Sequence, residues 1–176
     1  ALDSARSTLE FRFRQAGASA TGRFARYRVT LDWPAGGAAD AAAAAGAALE
    51  VVIDVASLDT ADADRDGTLR AAELFAVERF PQARFQSRGL AAGAGTATAA
   101  GVPLLARGSL QIRDRTRSVA VPLTLRLATE SGRRVAWLRG EMPLKRLDYG
   151  VGQGEWQSTQ WVDDEVVVRW DLRLQE

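Results

Sequence analysis

Period two governs this chain. Leu9, Phe11 and Phe13 alternate with Glu10, Arg12 and Arg14, as a strand does when one face is dry and the other wet. The alternation returns at Tyr27, Val29, Leu31 and Trp33, ended by Pro34, and again at Leu49, Val51, Ile53 and Val55. Further sets are Ala83, Phe85 and Ser87; Leu104, Ala106, Gly108, Leu110 and Ile112; and Val119, Val121, Leu123, Leu125 and Leu127. Val135 and Trp137 begin another strand, and Val166, Val168, Trp170, Leu172 and Leu174 form the last. Between them lie a small polar turn bracketed by Gly17 and Gly22, a charged turn over 113–117 and a Ser131-Gly132 hairpin turn. Residues 36–48 and 91–101 are Ala/Gly-rich loops, the first with room for one helical turn. One stretch breaks the rhythm. Leu69, Ala72 and Phe75-Ala76 recur at helical spacing, which predicts a short helix over 68–77 stopped by Pro81.

About eight strands with one apolar face each, interrupted by one helix, define an all-β antiparallel protein, because parallel strands read as solid apolar runs. A sheet with one dry face packs on another sheet or closes on itself. The pattern alone leaves sandwich and barrel open, and leaves open whether small inner residues such as Ala and Val fill a core or border a slot for one ligand. With 176 residues and 47% apolar content the chain reads as a single domain, 1–176, with ample core.

Composition removes several functions. The net charge is +1, so nothing points to nucleic acid or an anionic membrane. Of 23 basic residues only Lys145 is a lysine, a bias spread over the chain rather than a binding patch. Cysteine and histidine are both absent. Their absence removes thiol chemistry, the commonest general base and the usual ligands of zinc. The neighbours Asp163 and Asp164 would face opposite ways on a strand, a poor acid–base pair. The glycines at 150, 152 and 154 lack the helix a dinucleotide site needs. The chain is expected not to be an enzyme. No apolar run is long enough to span a membrane, although transient membrane contact is compatible with the sequence. Oligomeric state is not legible.

The acidic turn fits a second pattern. Asp62, Asp64, Asp66, Gly67 and Glu73 match the D-x-D-x-D-G-x5-E calcium loop, in which Thr68 would offer its carbonyl. An EF-hand also needs an entering helix, and 49–55 reads as a strand. We therefore expect no metal and a solvated turn in which Asp66 or Thr68 caps the helix. A calcium-responsive interaction module using 62–73 is the alternative.

Several short motifs share one order. They are Gly22-Arg23-Phe24, then Ser57-Leu58-Asp59-Thr60, then Arg65-Asp66 with Leu69, then Phe80-Pro81 with Phe85. Last comes Arg146-Leu147-Asp148-Tyr149-Gly150. Together they resemble the YceI family of periplasmic polyisoprenoid-binding proteins, whose pattern includes S-I-D-T, R-D-x-x-L, a Y/F-P step and R-x-D-F-G. Leu74-Phe75-Ala76 departs from the family's Phe-Phe-Asp, and Tyr149 stands in a Phe position. The resemblance implies an extended lipocalin-like barrel with the helix as an end cap, and export to the periplasm. Ala1 in place of Met fits a removed signal peptide, though an engineered start would look the same. It further implies non-catalytic binding or transport of a polyisoprenoid or isoprenoid quinone, with no covalent cofactor. The expected wall is Phe11, Phe13, Tyr27, Val29, Leu31, Ile53, Phe85, Leu110, Leu123, Leu125, Tyr149, Trp161, Val168 and Trp170. Arg146 and Asp148 are the candidates for holding a head group, against the plainer reading of a rim ion pair.

Overall fold

A computed structural model describes residues 1–34 and 40–176. Its strands are β1 (Thr8–Gln15), β2 (Ala18–Phe24), β3 (Tyr27–Asp32), β4 (Ala48–Asp54), β5 (Leu58–Asp59), β6 (Gln82–Ala92), β7 (Val102–Ile112), β8 (Arg115–Glu130), β9 (Arg133–Lys145) and β10 (Glu165–Gln175). All pair antiparallel in one sheet of order β3-β4-β6-β7-β8-β9-β10-β1-β2-β5, which curls into a half-barrel. Two α-helices accompany it among the described residues, α1 (Ala41–Ala44) and α2 (Ala63–Arg70). No helix among the described residues is long and apolar enough to cross a membrane.

Ten strands replace the expected eight or so. The segment read as a polar turn between Gly17 and Gly22 is strand β2, paired with β1 from Glu10↔Arg23 to Gln15↔Ala18. It was hidden because the inner position opposite Phe11 is Gly22. A Cβ at Gly22 would sit 2.3 Å from the Phe11 ring. The glycine gives up its own apolar side chain so that the ring can lie across the strand. Gly140 does the same for Trp170, at 2.5 Å. The Ala/Gly loop after Pro34 contributes one helical turn, α1, capped by the Asp40 carboxylate on the Ala43 N–H at 2.8 Å. Residues 35–39 of that loop lie outside the described residues.

The helix expected over 68–77 lies earlier, over Ala63–Arg70. Asp62, with extended backbone, accepts the Arg65 N–H at 3.0 Å and so starts the helix five residues sooner than the apolar spacing indicates. Ala71 leaves the helical region (ψ 167°) and the chain proceeds by turns to Phe80, so Pro81 precedes β6 rather than closing a helix. On β9, Ala136 and Leu138 face inward, opposite Leu174 and Leu172. Trp137 lies on the other face, 3.7 Å beneath the Arg126 guanidinium.

The sheet's ends meet near the corner between β4 and β5. The chain turns from β2 into β3 at Ala25-Arg26, and there the Ala25 N–H donates to the Ser57 carbonyl at 3.1 Å. The Arg26 N–H donates to the Ser57 hydroxyl at 2.9 Å, and that hydroxyl donates to the Asp54 carbonyl at 2.6 Å. Ser57, first residue of the Ser-Leu-Asp-Thr motif, therefore ties two non-adjacent turns together.

The interior has two unlike halves. One is solidly packed around Val29, Leu90, Leu104, Leu125 and Leu174, with Leu104 and Leu125 wholly excluded from solvent. The other carries looser groups of rings and branched side chains around Phe11, Phe13 and Val55 and around Leu74, Tyr149 and Val151.

Candidate functional site

The looser half encloses a cavity of about 530 Å³, within the usual range of roughly 300–1,000 Å³ for small-molecule sites. Strand side chains form its wall. Phe11 and Phe13 stack at 5.9 Å, and Phe24 tilts against Phe11 at 5.1 Å. Phe75, delivered by the turns after α2, meets Phe24 edge-on at 6.5 Å. Leu9, Leu49, Leu123, Leu138, Trp170 and Leu172 both line the cavity and belong to the packed half, so they make its floor.

Nine of the expected wall residues line this space: Phe11, Phe13, Ile53, Phe85, Leu110, Leu123, Tyr149, Val168 and Trp170. Five do not. Val29 and Leu125 are buried in the solid half, and Tyr27 and Leu31 pack against it. Trp161 is 64% exposed on the loop before β10. It alternates with Val162, which lines the cavity, and so faces the other way. Sequence reasoning missed Met142, Leu144 and Val166, although each continues the two-residue alternation of β9 or β10. It also missed Leu74, Val151 and Trp156, which come from turns with no period to betray them. Burial raises the Tyr149 phenol pKa above its ordinary value, and neighbouring Asp148 adds to the effect.

Gln15, Asp62, Asp64, Arg65, Thr68 and Arg146 supply the polar border. Arg146 is buried and fully engaged. Its Nε donates to the Asp163 carbonyl at 2.9 Å, Nη1 to Val151 and Trp156 at 2.9 and 2.7 Å, and Nη2 to Ser158 and Val162 at 3.1 and 3.0 Å. A guanidinium has five N–H groups, so none remains for a head group. Arg146 instead braces the loop that brings Val151, Trp156 and Val162 to the wall. Burial lowers its pKa, and the Asp164 carboxylate opposes that shift. Gly152 is part of the same brace, since a Cβ there would fall 2.2 Å from Nη1. The Asp148 side chain is exposed and outside the cavity lining, and its carbonyl accepts from Arg117 at 3.2–3.3 Å. The head-group assignment of Arg146 and Asp148 is thus replaced by a bracing role for the first.

The calcium loop is overturned by the backbone. Residues 63–70 are helical, and Gly67 sits inside the helix instead of at a sharp turn. Asp62 is the helix cap, as described above. Asp66 is buried and accepts from the Thr60 N–H at 2.9 Å and the Thr60 hydroxyl at 2.7 Å. Thr68 donates its hydroxyl to the Asp64 carbonyl at 3.0 Å. The carbonyl of Glu73 accepts the Gln153 N–H at 2.8 Å, on the mouth loop. The five oxygens expected to converge are spread along a helix and a turn, and no metal-holding group of three or more is found among the described residues.

An antiparallel half-barrel with a largely apolar cavity is a lipocalin-like fold. Residues 1–174 match the YceI-like domain family, and the chain belongs to it. Among solved structures it resembles Burkholderia cenocepacia BcnA, with 28% identity over 99% of both chains and a TM-score of 0.81. A YceI protein of Campylobacter jejuni shares the fold at 18% identity, over 88% of this chain and 84% of that one, with a TM-score of 0.68. So does a polyisoprenoid binding domain from Saccharophagus degradans, at 20% identity over 99% and 96%, with a TM-score of 0.67. No curated protein matches the chain.

Proposed function

We propose that the cavity takes the tail of a polyisoprenoid lipid and that the protein binds and carries such lipids without transforming them. The observation that carries this reading is the cavity itself: a space of about 530 Å³ walled mainly by aliphatic and aromatic side chains. A prenyl tail has no hydrogen-bonding groups, so a wall of this kind costs it nothing in unmet polar contacts. Each buried CH₂-sized group gains roughly 0.8 kcal/mol. Four isoprene units therefore gain about 16 kcal/mol gross, enough for micromolar binding after ~8 kcal/mol of association and ordering cost. Membership of the YceI family and the Saccharophagus degradans domain, described as polyisoprenoid binding and implicated in plant cell wall breakdown, support the same ligand class. Carriage between membranes fits the exported location that the resemblance implies.

Binding is preferred to catalysis because the chain holds neither His nor Cys, the commonest general base and the most reactive nucleophile. An isoprenoid quinone is the finer proposal. Trp156 lines the cavity and Trp170 lies at its floor, so a quinone entering tail-first quenches their fluorescence. Titrating delipidated protein with long-tailed and tail-less quinones tests this. Saturable quenching by the long-tailed compound alone is expected. Equal quenching by both, or none by either, refutes a tail site.

A further inference from the structure

A lipid tail held in this cavity needs a way in and out. Among the lining residues only Asp62, Asp64 and Thr68 are exposed, so the cavity meets solvent beside α2. Val162 lines the same end, where it packs in one cluster with Leu69 of α2 and bridges to Gln15. Next to that bridge the Trp161 carbonyl accepts the Ala16 N–H at 2.7 Å, which sets Trp161 on the cavity's rim. Among the described residues Trp161 is the one large hydrophobic side chain left exposed. Its presentation is fixed, because Arg146 donates to the carbonyls of Ser158, Val162 and Asp163 on either side of it. A ring held rigidly in water forgoes the gain of burial within the fold. Charge around it balances. Arg14 lies 4.0 Å from the Asp163 carboxylate, and among the lining residues Asp62 and Asp64 offset Arg65 and Arg146. The rim therefore has no surplus charge to draw it to an anionic surface. What it offers is an indole, whose apolar body and N–H suit the head-group level of a bilayer.

We propose, on the footing of the tail-site reading, that Trp161 docks this rim on the interface of a zwitterionic lipid bilayer, so that a tail passes between membrane and cavity without crossing water. A prenyl tail released into water would lose the burial of all its CH₂ groups at once, whereas a tail leaving at a docked rim exposes few at a time. The charge balance makes the docking insensitive to anionic lipid and to salt.

Docking is tested on delipidated protein with no isoprenoid added, by sedimentation with phosphatidylcholine vesicles and by tryptophan quenching with brominated phosphatidylcholine. The unmodified protein is expected to bind, with its emission shifted to the blue. Trp161→Ala should weaken binding about tenfold and remove the shift without moving Tm. Trp161→Tyr, which keeps an amphipathic ring, should recover most of the binding. About 1 M salt should leave it intact. In a second arm, radiolabelled geranylgeraniol is followed from protein to vesicles. Its transfer rate should rise with vesicle concentration and fall about tenfold in Trp161→Ala. Failure to bind vesicles, binding that Trp161→Ala does not weaken, or binding that needs anionic lipid and vanishes in salt overturns the docking and leaves the tail site standing. Burial of Trp161 between two copies of this chain in the absence of vesicles overturns it as well. Vesicle binding by protein that takes up no geranylgeraniol refutes the tail site and not the docking.

Discussion

Replacing Arg146 with lysine should loosen the mouth of the cavity and cost the whole protein a measurable part of its stability. The guanidinium holds five carbonyls on residues 151–163 at 2.7–3.1 Å. A lysine ammonium has three donors on one nitrogen, so at least two of these carbonyls lose their partner. Hydrogen bonds to a charged group contribute about 1.5–3 kcal/mol each. Most of these carbonyls lie where water can reach after a small shift, which offsets part of the loss. The expected net cost is therefore near the lower end, about 3 kcal/mol. For a chain of this size that lowers Tm by roughly 6–12 °C. Hydrogen exchange should speed up over 151–163 and stay unchanged in β7 and β8. The dissociation rate of a bound tail should rise as well, because Val151, Trp156 and Val162 leave the wall with the loop. A loss below about 1 kcal/mol with unchanged exchange in the loop would mean that the five bonds do not hold it.

Three further outcomes follow from the same geometry. Leu138 is 1% exposed at the cavity floor, so Leu138→Ala should cost about 3 kcal/mol and shift the preferred tail toward one more isoprene unit, read from affinities across a chain-length series; an unshifted optimum would place the floor elsewhere. Phe75 is half-buried against Phe24, so Phe75→Ala should cost about 2 kcal/mol in denaturant unfolding, less than the ~3–5 of a fully packed ring; a loss near zero would make the turns after α2 a mobile lid. Burial raises the pKa of Tyr149 and Tyr27. The fold thus favours the neutral phenols, and their contribution to stability is complete below the unfolded value near ~10 and lost as pH climbs through the higher folded values. Ultraviolet titration should show both ionising late, and ordinary titration of Tyr149 would mean that water reaches it freely.

Alternation along the sequence reveals which face of a strand is dry. It does not reveal height along the barrel. Val29 and Leu125 share the inner-face pattern of Phe11 and Leu123, yet the first pair is packed solid and the second borders the cavity. That distinction depends on how far each residue lies from the open end, which is set by strand register and by the taper of the sheet. Strand β2 escaped notice for a related reason, since Gly22 yields its inward volume to Phe11 and leaves a gap in the apolar rhythm. The helix begins earlier than its apolar spacing indicates because Asp62 caps it. The motifs shared with the YceI family located the right segments, but much of their chemistry is structural. Ser57 knits a corner, Thr60 and Asp66 satisfy one another, and Arg146 braces the mouth. Nothing in the spacing of Arg146 distinguishes a guanidinium spent on carbonyls from one waiting for a ligand. The difference lies in a loop conformation built by Gly150 and Gly152 at positive φ.

The lipid that accompanies the protein is the most direct measure of what the cavity is for. Organic extraction of protein purified without detergent, followed by mass spectrometry, should yield lipids whose tails differ by five-carbon steps. Recovery of straight-chain acyl lipids in stoichiometric amount, or of no lipid at all from protein that also fails to take up an added polyprenol, would contradict the assignment.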